Sequence, residues 1–266
     1  MIRTFVEYIY TMLFSIEGNI GSGKSTIVNH LKKEFKEISD IPVHFVDEPV
    51  SQWEMIKSVE GKHMIELFYA DPTKYAFAFQ MMAYISRLSL LHETILRYPK
   101  DIIITERCLL TDYHVFAKML YENKSMLKEE YEIYQKWFHY FQQEIELTGI
   151  IYIKTDPEVA HERCLKRARL GETITLEYLE KCHEKHEQWI ANGQYITYIM
   201  DNNDLDPEYA TWMIHDFIGD QVWGQKEPQK SSKILEAICV ALAAYVFIAM
   251  MLFCHLGREI YMLEKF

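Results

Sequence analysis

The sequence predicts an α/β domain, a five-stranded, doubly wound parallel sheet flanked by helices. Three observations carry that expectation. Short runs rich in β-branched and aromatic residues alternate with longer helical patterns. The first run leads directly into an unbroken glycine-rich phosphate-binding pattern and then a helix. Only ten glycines and seven prolines punctuate 266 residues, which favours long helices over the many turns of an all-β chain.

Residues 11–16 form the first strand, an apolar run of the kind buried on both faces of a parallel sheet. The glycine-rich turn follows, with a helix expected from Ser25. Residues 43–47 give the second strand. Residues 63–97 read as helix, interrupted only by Pro72, which begins or kinks a helix because it fixes φ and lacks an amide hydrogen. Residues 102–105 give the third strand, 111–147 a second long helical stretch, and 150–154 and 195–200 the fourth and fifth strands. Each gap is long enough for the crossover that parallel pairing needs.

With 28 Lys and Arg against 39 Asp and Glu, the net charge of −11 disfavours a general affinity for nucleic acid. Any anionic substrate must then be held by a local basic cluster. Five cysteines without a C-x-x-C pair make neither a disulfide framework nor a zinc site, so a reducing compartment is expected. The opening MIRTFVEYIY lacks both the apolar core of a signal peptide and the Arg/Ser bias of a transit peptide, which places the 1–220 domain in a cytoplasmic setting.

Composition shifts near residue 220. Residues 221–233 read as a polar linker, 234–256 as a hydrophobic transmembrane helix and 257–266 as a short tail. The uncharged stretch from Ala237 to Cys254 spans about 27 Å at about 1.5 Å per residue, close to a bilayer's hydrocarbon thickness. A buried C-terminal helix is the alternative, but a sheet already covered by helices has no place for one that is apolar all round. Lys226, Lys230 and Lys233 on one side, against Arg258 and Lys265 on the other, give a slight positive-inside bias toward a tail anchor with the main domain in the cytosol.

Gly18-Asn19-Ile20-Gly21-Ser22-Gly23-Lys24-Ser25 fits G-x-x-x-x-G-K-[ST] at every fixed position, between a strand and a helix. The glycines let backbone N–H groups turn toward phosphate oxygens, and the helix N-terminus adds its dipole. Lys24 would reach the β- and γ-phosphates and Ser25 would hold Mg²⁺. The pattern points to a nucleoside triphosphate but does not identify the phosphate acceptor.

The second strand ends in Asp47-Glu48-Pro49 and the third in Thr105-Glu106-Arg107, at the sheet edge where doubly wound folds bind ligands. One carboxylate can take a proton from an attacking hydroxyl, the other can help hold a metal, and Arg107 can offset their repulsion. Singly, each is as readily a salt-bridged strand end; together beside an intact cradle they read as an active site. On a helix, Gln80, Ala83 and Arg87 share a face with Tyr84, so an amide and a guanidinium project from an otherwise apolar side. Four cations between Arg163 and Arg169, namely Arg163, Lys166, Arg167 and Arg169, supply the basic cluster that the net charge demands.

The segments IEGNIGSGKST, DEPVSQW, FAFQ, ERC followed by TD, TGIIYIKTDPEVAHER, RARLGE and LEYLEKCHEKHEQW occur in this order between Met12 and Leu205. In them the chain resembles the deoxyribonucleoside kinases, the family containing deoxycytidine, deoxyguanosine and mitochondrial thymidine kinases and the insect multisubstrate enzyme. The resemblance implies a P-loop kinase fold, ATP as phosphate donor, Mg²⁺, a deoxynucleoside acceptor for nucleotide salvage and a homodimer through long helices. It implies Glu48 as general base for the nucleoside 5′-hydroxyl, with Arg107 beside it. Glu106 joins Ser25 at the metal, and Gly18 to Thr26 bind ATP, with Asp204 and Leu205 in the adenine loop. Tyr69 and Glu172 hold the sugar 3′-hydroxyl; Trp53, Phe79 and Gln80 form the base pocket. Arg167 and Arg169 belong to a lid that closes over ATP, and Gly171 suits a flexible segment beside them.

Arg87 and Asp112 stand where deoxycytidine and deoxyguanosine kinases carry an Arg and an Asp, which implies that deoxycytidine and purine deoxynucleosides are used well and thymidine poorly. One departure is Cys108, which replaces the family's usual serine with a weaker hydrogen-bond partner. Cys182, His183 and His186 are one residue short of a zincin spacing and lie on a helix whose resemblance needs no metal. Two alternatives remain at this stage: a nucleoside monophosphate kinase, which needs a further arginine for the acceptor phosphate, and a non-catalytic membrane-associated subunit of the same fold.

Overall fold

The computed structural model describes residues 11–142, 145–169 and 172–226. The chain divides into two compact units, Met1–Gly219 and Asp220–Phe266. Among the described residues no helix is long and apolar enough to cross a membrane. The transmembrane segment expected at 234–256 lies outside them, as do most of the linker, the short tail and Gly171.

The elements run β1 (Met12–Glu17), α1 (Lys24–Glu34), β2 (Glu37–Ile38), β3 (Ile41–Val46), α2 (Val50–Met55), α3 (Met64–Ala70), α4 (Pro72–Arg97), β4 (Ile102–Glu106) and α5 (Leu109–Thr111). A π-helical stretch, Asp112–Ala117, continues into α6 (Lys118–Glu122), and then come α7 (Lys128–Gln142), β5 (Gly149–Lys154), α8 (Pro157–Arg167), α9 (Leu176–Ala191), β6 (Thr197–Asp201) and α10 (Pro207–Lys226). The sheet order is β2-β3-β4-β1-β5-β6. The five strands from β3 to β6 in that order pair in parallel, in register such as Phe14 opposite Ile104 and Ile151 opposite Tyr198. They are the five strands read from the sequence.

The strand count needs a correction from five to six, and the sheet is mixed. β2 is antiparallel to β3, with Ile38 opposite Ile41. Two residues are too few to show an alternating pattern, and the tight turn uses Ser39 and Asp40 at φ 52° and 62° rather than the Asn-Gly that marks such hairpins. The long helical stretches are also divided. Asp71 accepts a hydrogen bond from the Lys74 amide at 3.2 Å and Pro72 takes the first turn, so Pro72 begins α4 and does not kink a longer helix. The second stretch breaks after Glu122, where Lys124 adopts φ 64° and the Asn123 side chain accepts from the Ser125 amide at 3.0 Å. Asn and Ser compete with helix through such local bonds, and the break lets α7 turn back.

β1 lies at the centre of the sheet, and all six of its residues are buried. Its neighbours β4 and β5 lie on opposite sides, so the connection reverses there and leaves a crevice at the carboxyl ends. The cradle loop follows β1 into that crevice. Leu31, with no exposed surface, secures α1 beneath the loop. Truncation of Leu31 to Ala should lower unfolding stability by about 2–5 kcal/mol, measured by urea denaturation.

Candidate active site

The cradle closes because its glycines adopt backbone angles that other residues resist. Gly21 and Gly23 have φ of 80° and 93°; a Cβ at Gly21 would meet the Ala160 carbonyl and the Cys164 sulfur. Lys24 is buried, and its Nζ donates to the Asn19 carbonyl at 2.6 Å and to Ser22 Oγ at 3.4 Å. Burial, reinforced by Arg107, pulls the Lys24 ammonium down to about 7 against the opposing pull of Glu106 and Glu48. Ser25 Oγ donates to Glu106 Oε1 at 2.7 Å, bringing two hard oxygen donors together.

Glu48, two residues beyond β3, is gripped by two guanidiniums through one oxygen. Arg87 Nη2 donates to Glu48 Oε1 at 2.9 Å, and Arg107 Nε lies 3.2 Å from the same atom. Arg107 can do this because its backbone is left-handed, at φ 64°, held by N–H donation to the Ile16 carbonyl at 3.0 Å. Its Nη1 donates to the Gly18 carbonyl at 2.8 Å, and its guanidinium lies 5.0 Å from the Phe116 ring. Burial alone would raise the Glu48 carboxyl, but Arg107, Arg87 and Lys24 outweigh it and hold it down at about 2.

On the far side, Arg87 Nη1 reaches Asp112 Oδ2 at 3.4 Å, and Gln80 Nε2 donates to the Asp112 carbonyl at 3.3 Å. Gln80, Ala83 and Arg87 are all buried, so the polar face expected from their helical spacing turns inward. Trp53 donates its Nε1–H to Ser86 Oγ at 2.9 Å and meets Phe79 edge to face, 5.7 Å between centroids. A further buried network lies beneath: Ser15 Oγ donates to Glu17 Oε1 at 2.5 Å and Thr111 donates to the other Glu17 oxygen. Cys108 packs against this network, 3.9 Å from Thr111 Oγ1, with its thiol pushed well up by burial and by Glu17.

The basic cluster meets a carboxylate. Arg167 Nη2 lies 2.6 Å from Glu172 Oε2, and Arg169 Nη1 lies 3.7 Å from Glu172 Oε1. Burial, with Glu172 nearby, pushes the Tyr69 hydroxyl well above its usual range.

A cavity of about 600 Å³ joins these groups. Its walls include Ile20, Gly21, Gly23, Lys24, Ser25 and Thr26 of the glycine-rich loop and the start of α1, together with Trp53, Tyr69, Phe79, Gln80, Arg87 and Asp112, the trio Glu48, Glu106 and Arg107, and Arg167, Arg169 and Glu172. Gly18, Asn19 and Ser22 are not in its walls, although the Gly18 and Asn19 carbonyls bind Arg107 and Lys24. Asp204 does not line the cavity either, but Leu205 beside it does, together with Asn202 and Pro207, the first residue of α10. Phe116, Tyr178 and Asn202 were not singled out as ligand contacts by the sequence, and all three are in the wall, as is Arg163 of the expected basic cluster, whereas Lys166 is not. For Asn202 a signal existed: it is the first residue past β6, at the carboxyl edge where ligands bind.

A family model described as deoxynucleoside kinase matches residues 14–219. The chain is 38% identical over 201 residues to deoxycytidine kinase 2 of Gallus gallus, with 66% of this chain and 72% of that protein covered. It is 36% identical over 199 residues to deoxycytidine kinase of Homo sapiens, covering 67% of this chain and 75% of that protein. With the mitochondrial deoxyguanosine kinase of Xenopus laevis the identity is 35% over 196 residues, covering 66% and 72%.

The electrostatics make a pH prediction. Burial, aided by Glu48 and opposed by Arg87, raises the Asp112 carboxyl from 3.8 to about 6. Between those values the folded chain keeps a proton that the unfolded chain has released, so this group's contribution to stability falls as pH rises through the window. Glu48 acts oppositely: its depressed value contributes stability that is lost as pH falls from 4.5 toward about 2. Urea midpoints measured from about pH 4 to pH 6 should therefore fall less steeply, or rise, in Asp112→Asn compared with the native chain.

Proposed function

The chain belongs to the deoxynucleoside kinase family, and from that premise we propose that it transfers the γ-phosphoryl group of ATP to the 5′-hydroxyl of a deoxynucleoside, giving a deoxynucleoside monophosphate for salvage. The observation that carries this reading is the position of Glu48, an ionised carboxylate in the cavity wall between a phosphate cradle and a pocket of aromatic and amide side chains. In this role Glu48 accepts the 5′-hydroxyl proton as the oxygen bonds to phosphorus and ADP departs. Arg107, Arg87 and Lys24 keep the Glu48 carboxylate ionised, the state in which it can take up that proton. Arg107 orients Glu48, and Arg167 and Arg169 offset charge on the transferred group. Tyr69 and Glu172 take the sugar 3′-hydroxyl.

Ser25 and Glu106 would hold Mg²⁺. Ser25 Oγ and Glu106 Oε1 lie 2.7 Å apart, two hard oxygen donors that phosphate oxygens and water would complete, which fits this ion's habits. When bound, Mg²⁺ neutralises charge on the phosphates.

Base preference follows from the far wall. Asp112 can accept from an exocyclic amine, Arg87 can donate to a ring acceptor, and Gln80 offers both functions. Cytosine and the purines present such combinations, whereas thymine carries an O4 acceptor where cytosine has its amine. Trp53 and Phe79 enclose the ring. The proposal includes a homodimer through α4 and α7, which leave Ile85, Leu96, Ile133, Trp137 and Tyr140 exposed. It also includes cytoplasmic placement of the main domain with residues 234–256 as a membrane anchor, supported by their hydropathy. Family membership overtakes the monophosphate-kinase and non-catalytic readings.

Transfer from ATP to each of the four deoxynucleosides tests the reading. Deoxycytidine and the purine deoxynucleosides should be turned over and thymidine least, and Glu48→Gln should lower kcat by about 10²- to 10⁴-fold. Thymidine as the best substrate would refute the roles given to Arg87 and Asp112, and no transfer to any nucleoside would refute the function. In sedimentation, Trp137→Glu should shift a native dimer toward monomer.

A further inference from the structure

The backbone carbonyl of Ser22, inside the phosphate cradle, collects side-chain donors from three separate parts of the chain. Asn202, just past β6, donates its Nδ2–H at 2.6 Å. Thr155, just past β5, donates its hydroxyl at 3.2 Å, and Arg163 on α8 approaches at 3.5 Å. A carbonyl oxygen has two lone pairs, so the amide and the hydroxyl satisfy it and the amide is the closer.

Asn202 is itself held at both backbone atoms. Its N–H donates to the Lys154 carbonyl at 2.8 Å, and its own carbonyl accepts from Arg163 Nη2 at 2.9 Å. The side chain is buried yet reaches the cavity wall, and a Cβ placed on Gly23 would meet its Nδ2. The amide therefore occupies the space that the glycine at position 23 leaves open.

We infer that Asn202 is a positioning residue of the cradle, setting the affinity for the phosphate donor. Holding the Ser22 carbonyl fixes the Ser22–Gly23 peptide plane. In a trans peptide the C=O and N–H point in opposite directions, so the Gly23 N–H is turned away from Asn202 and toward the phosphates. A cradle works through backbone N–H groups aimed in advance, and an N–H aimed at a phosphate makes a charge-assisted bond. An aspartate at position 202 would keep the shape but present only acceptors to the carbonyl. The glycine-rich motif does not encode this restraint, which comes from a residue 180 positions along the chain.

The inference rests on the donor being ATP, and the test separates the two claims. ATP and deoxycytidine are titrated calorimetrically into the full chain and into Asn202→Val and Asn202→Asp, with melting temperatures recorded. Asn202→Val should bind ATP about tenfold more weakly and Asn202→Asp more weakly still. Deoxycytidine affinity should stay within about twofold of native, because its pocket shares no partner with Asn202. In turnover, KM for ATP should rise with kcat nearly unchanged, the pattern of a lost binding contact. Native ATP affinity in Asn202→Val would overturn the inference, as would a parallel loss of ATP and deoxycytidine affinity with a lowered melting temperature, which would mark general loosening. A native chain that binds ATP but phosphorylates no nucleoside would refute the proposed function, while the binding titrations would still decide the role of Asn202.

Discussion

Glu48 Oε1 is shared by Arg87 and Arg107, and much of the site's architecture follows from what it takes to keep that arrangement buried. Two guanidiniums and a carboxylate leave a surplus positive charge, which burial would make costly without further acceptors. Asp112 supplies one carboxylate to Arg87, and the Gly18 carbonyl supplies an acceptor to Arg107. The pair thereby connects four segments that are distant in the chain: the cradle, the end of β3, the interior of α4 and the turn after β4. Removing either arginine would leave the other to carry the carboxylate alone, so the residues act as one unit, and their single contributions are not additive.

The same constraint explains two local irregularities. Arg107 takes a left-handed backbone that costs a non-glycine residue energy, and the bonds to Ile16 and Gly18 hold it there. Five residues later the chain winds into a π-helical stretch beginning at Asp112. Such widened turns re-aim side chains and are frequent at functional sites. Here the turn carries Asp112 to Arg87 and Phe116 to Arg107. Glu17 and Thr111 tie this turn to the residue preceding the cradle, so both ends of the cavity are built on one buried foundation.

What could be read from the sequence was whatever repeats locally. The five parallel strands are continuous apolar runs, and the cradle is a fixed spacing; both are properties of neighbouring residues. The inward face of Gln80 and Arg87 was legible because helical period alone brings them together. β2 escaped because two residues have no period, and the break after Glu122 because a side-chain bond at Asn123 outweighed a favourable helical pattern. Phe116 could not be placed by ordinary helical spacing, since the π turn changes which residues share a side. For Asn202 the position at the sheet edge was legible but its partner was not: only the closed sheet brings Ser22 to the end of β6. Asp204 and Leu205 were the nearby residues selected, by resemblance and not by geometry, and of the two Leu205 lines the cavity.

The centre of the sheet and the arm bearing the arginines are held by different kinds of interaction. β1 is buried along its whole length and paired on both sides, so exposing its amides requires opening the domain. Arg167 and Arg169 are held to Glu172 by ion pairs whose arginines are about one-third exposed and whose carboxylate is nearly buried, contacts that dissolved ions reach from the arginine side. The floor of the cavity therefore responds to denaturant and the arm to ionic strength. Added salt thus loosens the arginines of the cavity wall before it reaches the amides of β1.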